Sequence, residues 1–118
     1  MAKVATLVLA DTETHADMAR VSNALVAAKE LKEANDEVKL IFEGAGTKWI
    51  PELSKPDHRL NGTFSSVKDK VAGACSFCAA AFGVKDEIRA AGIPLLGEYK
   101  GHPSLKHLVS EGYQVITY

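Results

Sequence analysis

The chain has 118 residues, enough for one domain with a real core and too few for two ordinary ones. Its 47% hydrophobic and 25% charged residues match the soluble globular average, which excludes collagen-like, disordered and disulfide-scaffold classes. Fourteen Lys and Arg face fifteen Asp and Glu, a net charge of -1, so no basic excess exists to hold a nucleic-acid backbone.

Lys3–Ala10 (KVATLVLA) is a continuous apolar run with β-branched residues, the pattern of a strand buried on both faces. It stops at Asp11, lacks a signal peptide's long core, and is far shorter than the ~20 residues of a membrane span. A soluble, cytoplasmic protein is expected. Met18, Val21, Leu25, Ala28 and Leu31 then recur at helical spacing, so a helix is expected over His15–Ala34, with Thr14 and Asp17 as its capping box. Val38–Phe42 (VKLIF) reads as a second strand. Gly44–Gly62 follows, with a helical turn expected near Pro51–Leu53. Thr63–Lys70 reads as a short helix capped by Thr63. Val71–Phe77 reads as a buried strand, Cys78–Phe82 as the first turns of a helix, and Val84–Ala91 as renewed helix stopped by Gly92. Pro94–Leu96 is a short strand, Gly97–Gly101 a loop, Pro103–Glu111 a helix, and Tyr113–Tyr118 the final strand. This alternation implies a single α/β domain over residues 1–118, with a mostly parallel five-stranded sheet and helices on both faces.

The two cysteines, Cys75 and Cys78, are too few for a disulfide framework and fit a reducing compartment. Cys78 falls where a buried strand gives way to a helix, the carboxyl end at which open α/β sheets bind ligands. Helix-start amides favour a thiolate there, and the thiolate is the form that attacks sulfur. The plainer alternative stays open for both residues: free cysteines in alanine-rich stretches often serve as small hydrophobes. As a zinc motif the pair is half a ligand set, because His58, His102 and His107 have no zinc-type spacing to it.

In its order of elements and in this motif, the sequence resembles the DsrE/DsrF-like family of small sulfur-relay proteins, over essentially the whole chain. The resemblance is carried by the LIFEGAG strand and loop, Cys78-Ala79-Ala80-Ala81, Ala91-Gly92-Ile93-Pro94 and the final GYQVIT segment. The segments GAGTKWIPEL, PDH and AGACSFCAAAFGVKD resemble a stand-alone prokaryotic branch. The resemblance implies a three-layer α/β sandwich and a homo-oligomer, trimer or hexamer. It implies that Cys78 carries a persulfide, with sulfur donor and acceptor proteins or small persulfides as partners. Cys75 lies outside the general pattern and is a candidate to resolve a persulfide on Cys78. No cofactor, nucleic acid or membrane is implied. A dithiol–disulfide oxidoreductase and a non-catalytic oligomeric binding module are the alternatives. The objection to the oxidoreductase is geometric, since the apolar strand is read as reaching Cys75 or beyond, with Cys78 opening the helix.

Other residues near strand ends are site candidates. His15 stands among Asp11, Glu13 and Asp17, whose acids complement a helix start or, alternatively, bind a cation. Trp49 either anchors its loop, covers the thiols or meets another subunit. His58, beside Asp57 and Arg59, belongs to a polar turn or adds positive charge at a site. Gly44-Ala45-Gly46-Thr47 lacks the spacing of a phosphate-binding loop. His102 is expected to face solvent, and His107 to lie on a helix surface.

Overall fold

A computed structural model describes all residues 1–118. Strands β1 (Lys3–Val8), β2 (Glu37–Phe42), β3 (Val71–Cys75), β4 (Leu95–Leu96) and β5 (Gln114–Thr117) form one sheet in the order β4-β3-β2-β1-β5. Every strand pair is parallel. The helices between strands are α1 (His15–Glu33), α2 (Trp49–Leu53), α3 (Asn61–Val67), α4 (Ser76–Ala81), α5 (Lys85–Ala90) and α6 (Leu105–Ser110).

The order of strands explains the layers. From β1 to β4 the chain steps one way across the sheet, and right-handed crossovers place α1 to α5 on a single face. The return from β4 to β5 runs the other way, so α6 lands on the opposite face. Side-chain alternation follows. Val38, Leu40, Phe42 and Val8 join Val21, Leu25, Ala28, Ile50, Leu53 and Ile88 in the main core. Ala5, Leu7 and Ile41 point the other way, onto Leu108 of α6. The α6 layer is thin, leaving Leu105, Val109 and Ile116 exposed.

Helix α1 begins as its sequence indicates. Thr14 Oγ1 accepts the Asp17 amide at 3.1 Å, and Asp17 accepts the Thr14 amide at 3.2 Å. Gly44–Lys48 forms a 3-10 turn running into α2, which starts at Trp49 instead of near Pro51. Gly46 passes so close to β1 that a β-carbon there would lie 1.9 Å from the Val8 carbonyl oxygen. Helix α3 starts at Asn61, not at Thr63, and no side chain caps it. Asn61 instead ties the turn to α2, donating to the Leu53 carbonyl at 2.8 Å. Helix α6 starts at Leu105, with Ser104 as its cap accepting the His107 amide at 3.1 Å.

The largest departure from expectation is at the cysteines. Strand β3 stops at Cys75, and α4 begins at Ser76, two residues before Cys78. The cause is local: the Cys75 sulfur takes the cap position and accepts the Cys78 amide at 3.3 Å. Cys75 therefore ends the strand and caps the helix, while Cys78 lies in the first turn. The geometric objection to a dithiol pair is removed. Its two sulfurs flank the start of one helix, as that chemistry requires.

Candidate functional site

Strand β3 runs between β2 and β4, and its residues Ala72, Gly73 and Ala74 are small. Its last residue, Cys75, has no exposed surface. Cys78 is half-buried. Both sit at the carboxyl edge of the sheet, where strand ends expose free amides and loops converge. The reversal of strand order falls between β1 and β5, so the thiols lie two strands away from it.

The loop after β4 closes over these sulfurs because β4 is the neighbour of β3. The Gly101 carbonyl accepts the Phe77 amide at 2.9 Å, satisfying a free donor of the α4 start. The same carbonyl lies 3.7 Å from Cys75 Sγ. Gly101 has φ +84, and a β-carbon there would come within 3.4 Å of Phe77 Cβ, so glycine suits both the conformation and the approach. His102 is fixed by reciprocal backbone bonds with Tyr99 at 2.9 and 2.8 Å. Its ring lies against Phe77, with centroids 4.9 Å apart. His102 Nδ1 is 3.2 Å from Cys75 Sγ. The two sulfurs and a His102 ring nitrogen all lie within 4.8 Å of one another.

His102 was thus expected in solvent and is instead half-buried against a thiol. Sequence spacing sets it 27 residues from Cys75, and only the β3–β4 pairing brings the two together. Glu43, just past β2, is a second residue that sequence reasoning missed. Burial pushes its carboxyl above the ordinary range, and the charge of His102 pulls the other way. Burial likewise pushes the Cys75 thiol up to about 11. The Cys78 amide opposes that rise, while the Cys78 thiol and Glu43 add to it. Cys75 is therefore a protonated thiol at neutral pH, its S–H directed to the Gly101 carbonyl or to His102 Nδ1.

The other candidates lie elsewhere. Trp49 is buried, and its indole donates to the Ala10 and Asp11 carbonyls at 3.0 and 2.9 Å, pinning its helix beneath the loop after β1. His58 meets the Trp49 ring edge-on at 6.0 Å and accepts the Leu60 amide through Nδ1 at 3.0 Å. His15 is exposed and borders a shallow cleft with Met18, Arg59 and Leu60. None of the three makes a hydrogen bond to either sulfur. Asp11 and Glu13 turn to Lys48, at 2.6 and 3.7 Å, an ion pair that lowers the Asp11 carboxyl and raises the Lys48 ammonium. Lys48 also lies over the Phe82 ring at 5.4 Å, joining this loop to the end of α4. His107 faces Glu111 at 3.6 Å on the surface of α6.

The chemistry available is that of two adjacent sulfurs, one on a buried and one on a half-buried residue, beside an imidazole. No helix of the chain is long and apolar enough to cross a membrane. A family model described as "DsrE/DsrF-like family" matches residues 5–118. An uncharacterized protein of Methanocaldococcus jannaschii is 39% identical over 100 residues, covering 85% of this chain and 81% of that one. Among solved structures, a conserved protein of unknown function from Bacteroides thetaiotaomicron is 21% identical with a TM-score of 0.67, covering 97% of this chain and 94% of that one. The ychN protein from E. coli is 16% identical with a TM-score of 0.60 over the full length of both chains. These two likenesses bear on the fold.

Proposed function

The chain belongs to the DsrE/DsrF-like family, and on that premise we propose that it is a cysteine-based sulfur carrier with Cys78 as the carrying residue. The observation that supports this most is that the sulfur of half-buried Cys78 lies beside the sulfur of buried Cys75 and the His102 ring, at the carboxyl edge of the sheet. The Cys78 thiolate attacks the outer sulfur of a donor persulfide, R–S–SH. A bond forms between Cys78 Sγ and that sulfur, the donor S–S bond breaks, and R–S⁻ leaves to take a proton from solvent. An acceptor thiolate then attacks the outer sulfur of Cys78–S–SH, which restores the Cys78 thiolate.

Cys75 gives a second exit. Its sulfur attacks Cys78 Sγ, hydrosulfide leaves, and a Cys75–Cys78 disulfide remains until an external dithiol reduces it. Because Cys75 is held as a thiol, this exit is slow at neutral pH and the persulfide persists long enough to be handed on. Donor and acceptor proteins or small persulfides are the partners in this reading, acting in the cytoplasm. The working assembly is a homo-oligomer, trimer or hexamer, and the exposed Leu105, Val109 and Ile116 support that part.

The placement of Cys75 as helix cap with Cys78 in the first turn favours one other reading, a dithiol–disulfide oxidoreductase. One experiment separates them. Protein is exposed to polysulfide under anaerobic conditions and its intact mass is measured, with Cys78→Ser and Cys75→Ser variants alongside. The carrier reading expects one added sulfur atom on the wild type and on Cys75→Ser, and none on Cys78→Ser. Loss of two hydrogens on the wild type together with no sulfur added to Cys75→Ser would favour the oxidoreductase, and an equal adduct on Cys78→Ser refutes the carrier.

A further inference from the structure

We propose that Cys75, Cys78 and His102 form a binding site for a single zinc ion, with its fourth coordination position open toward solvent. The ion would be held by two cysteine sulfurs at the junction of β3 and α4 and an imidazole nitrogen from the loop after β4. The inference does not rest on the carrier reading. Zinc occupies the same sulfurs, so it competes with sulfur loading, and either reading can fail while the other stands.

Three features of the geometry support the site. The first is size. Zinc–sulfur bonds of about 2.3 Å and zinc–nitrogen bonds of about 2.0–2.1 Å place tetrahedral donor pairs roughly 3.5–3.8 Å apart. Cys75 Sγ and His102 Nδ1 are 3.2 Å apart, and all three donors lie within 4.8 Å of one another. Adjustments of roughly an ångström, within reach of side-chain rotation, bring them to that spacing. The second is rigidity. Cys75 ends a strand held between two neighbours, Cys78 lies in the turn that Cys75 itself caps, and His102 is bonded to Tyr99 and packed, tilted by 33°, against the Phe77 ring. The third is donor chemistry. Two sulfurs and an imidazole suit zinc, whereas magnesium and calcium require oxygen ligands.

The remaining histidines are otherwise engaged or distant. His58 accepts a backbone amide, His107 faces Glu111, and His15 sits at the start of α1. Only His102 has its ring turned to the sulfurs. Glu43 lies near enough for its charge to act on both Cys75 and His102, which adds negative charge around a cation. Binding sends the two thiol protons to solvent, so two thiolates neutralise the ion's charge. With three protein ligands the site keeps a position for water or an incoming thiolate, the pattern of zinc sites that do more than hold a fold together.

The test uses the full, reduced, metal-free chain with no sulfur donor present. Zinc is titrated against a chromophoric chelator, and cobalt(II) serves as the spectroscopic stand-in. One ion per chain is expected, with sulfur-to-cobalt charge-transfer bands in the near ultraviolet. Cys78→Ser reduces those bands by about half, because one of two sulfur ligands is lost. His102→Ala and His102→Gln weaken zinc binding by at least about tenfold and shift the visible cobalt bands, while His107→Ala changes nothing. Cys78 and His102 are only half-buried, so these variants are suited to retain the native far-ultraviolet circular dichroism, whereas Cys75→Ser alters a sealed position. Absence of charge-transfer bands on the wild type, or wild-type zinc affinity in either folded His102 variant, would overturn the site.

Discussion

In a Cys78→Ser protein, Cys75 is the one thiol left, and its behaviour reports directly on burial at the end of β3. In the wild type the thiol is carried from an ordinary 9.0 to about 11; burial, the largest cause, survives the substitution, while the smaller upward push of the Cys78 thiol is removed. At pH 8 a group titrating near 11 is about one part in a thousand thiolate, against about a tenth for the same thiol in the unfolded chain. Ionisation alone therefore slows alkylation by up to about a hundredfold, and the sealed position slows it further. The same displacement affects stability. The folded chain holds this proton more tightly than the unfolded one, so its contribution is intact below pH 9 and is lost as pH rises through 11. For a thiol held near 11 the loss is about 1 kcal/mol at pH 10 and about 2 kcal/mol at pH 11. The assay is iodoacetamide labelling of metal-free protein from pH 7 to 11.5, native and denatured. Urea melts compare the slope of stability against pH with that of a Cys75→Ala, Cys78→Ser double variant. Native labelling that turns over near pH 9 at the denatured rate would refute the reasoning, because Cys75 would then be neither sealed nor held as a thiol.

Three other outcomes follow from particular contacts. Gly46→Ala forces a β-carbon against the Val8 carbonyl, and urea melts are expected to register a loss of about 3 kcal/mol or outright unfolding. Trp49→Phe leaves the Ala10 and Asp11 carbonyls without their indole donor and costs about 1–3 kcal/mol, read from chemical denaturation followed by circular dichroism. The Tyr113 hydroxyl donates to Glu37 at 2.6 Å, and that carboxylate raises the phenol to about 12. Difference absorbance at phenolate wavelengths should therefore show one late-titrating tyrosine, which returns toward 10.0 in Glu37→Gln.

Much of the fold could be read in advance because its signals are local. β1 and β2 are apolar runs bounded by polar residues, and α1 carries both its buried stripe and its capping box within twenty residues. The strand–helix alternation was enough for a mostly parallel sheet, and the structure makes it wholly parallel. The cysteine pair was also visible, but its placement was off by two residues. Sulfur is outside the usual set of helix caps, so nothing in the sequence marked Cys75 as the turning point. The start of α3 was missed for a similar reason: its Leu60 lacks a capping side chain, and the bond that fixes the turn reaches back to Leu53. His102 and Glu43 were illegible because their proximity to Cys75 depends on strand order. Each follows the carboxyl end of a strand that neighbours β3, a fact that exists only once β2, β3 and β4 are laid side by side. Trp49 carried three open readings, and its two carbonyl partners account for it as an anchor.

The claim on which the functional account depends is that sulfur is carried at one atom, Cys78 Sγ. Peptide mapping of polysulfide-treated protein, with persulfides trapped by an alkylating reagent before digestion, locates that sulfur. The account predicts the trapped extra sulfur on the peptide at Cys78, discharged when a small acceptor thiol is added before trapping. An adduct found on Cys75 instead, or one on Cys78 that no acceptor removes, contradicts it.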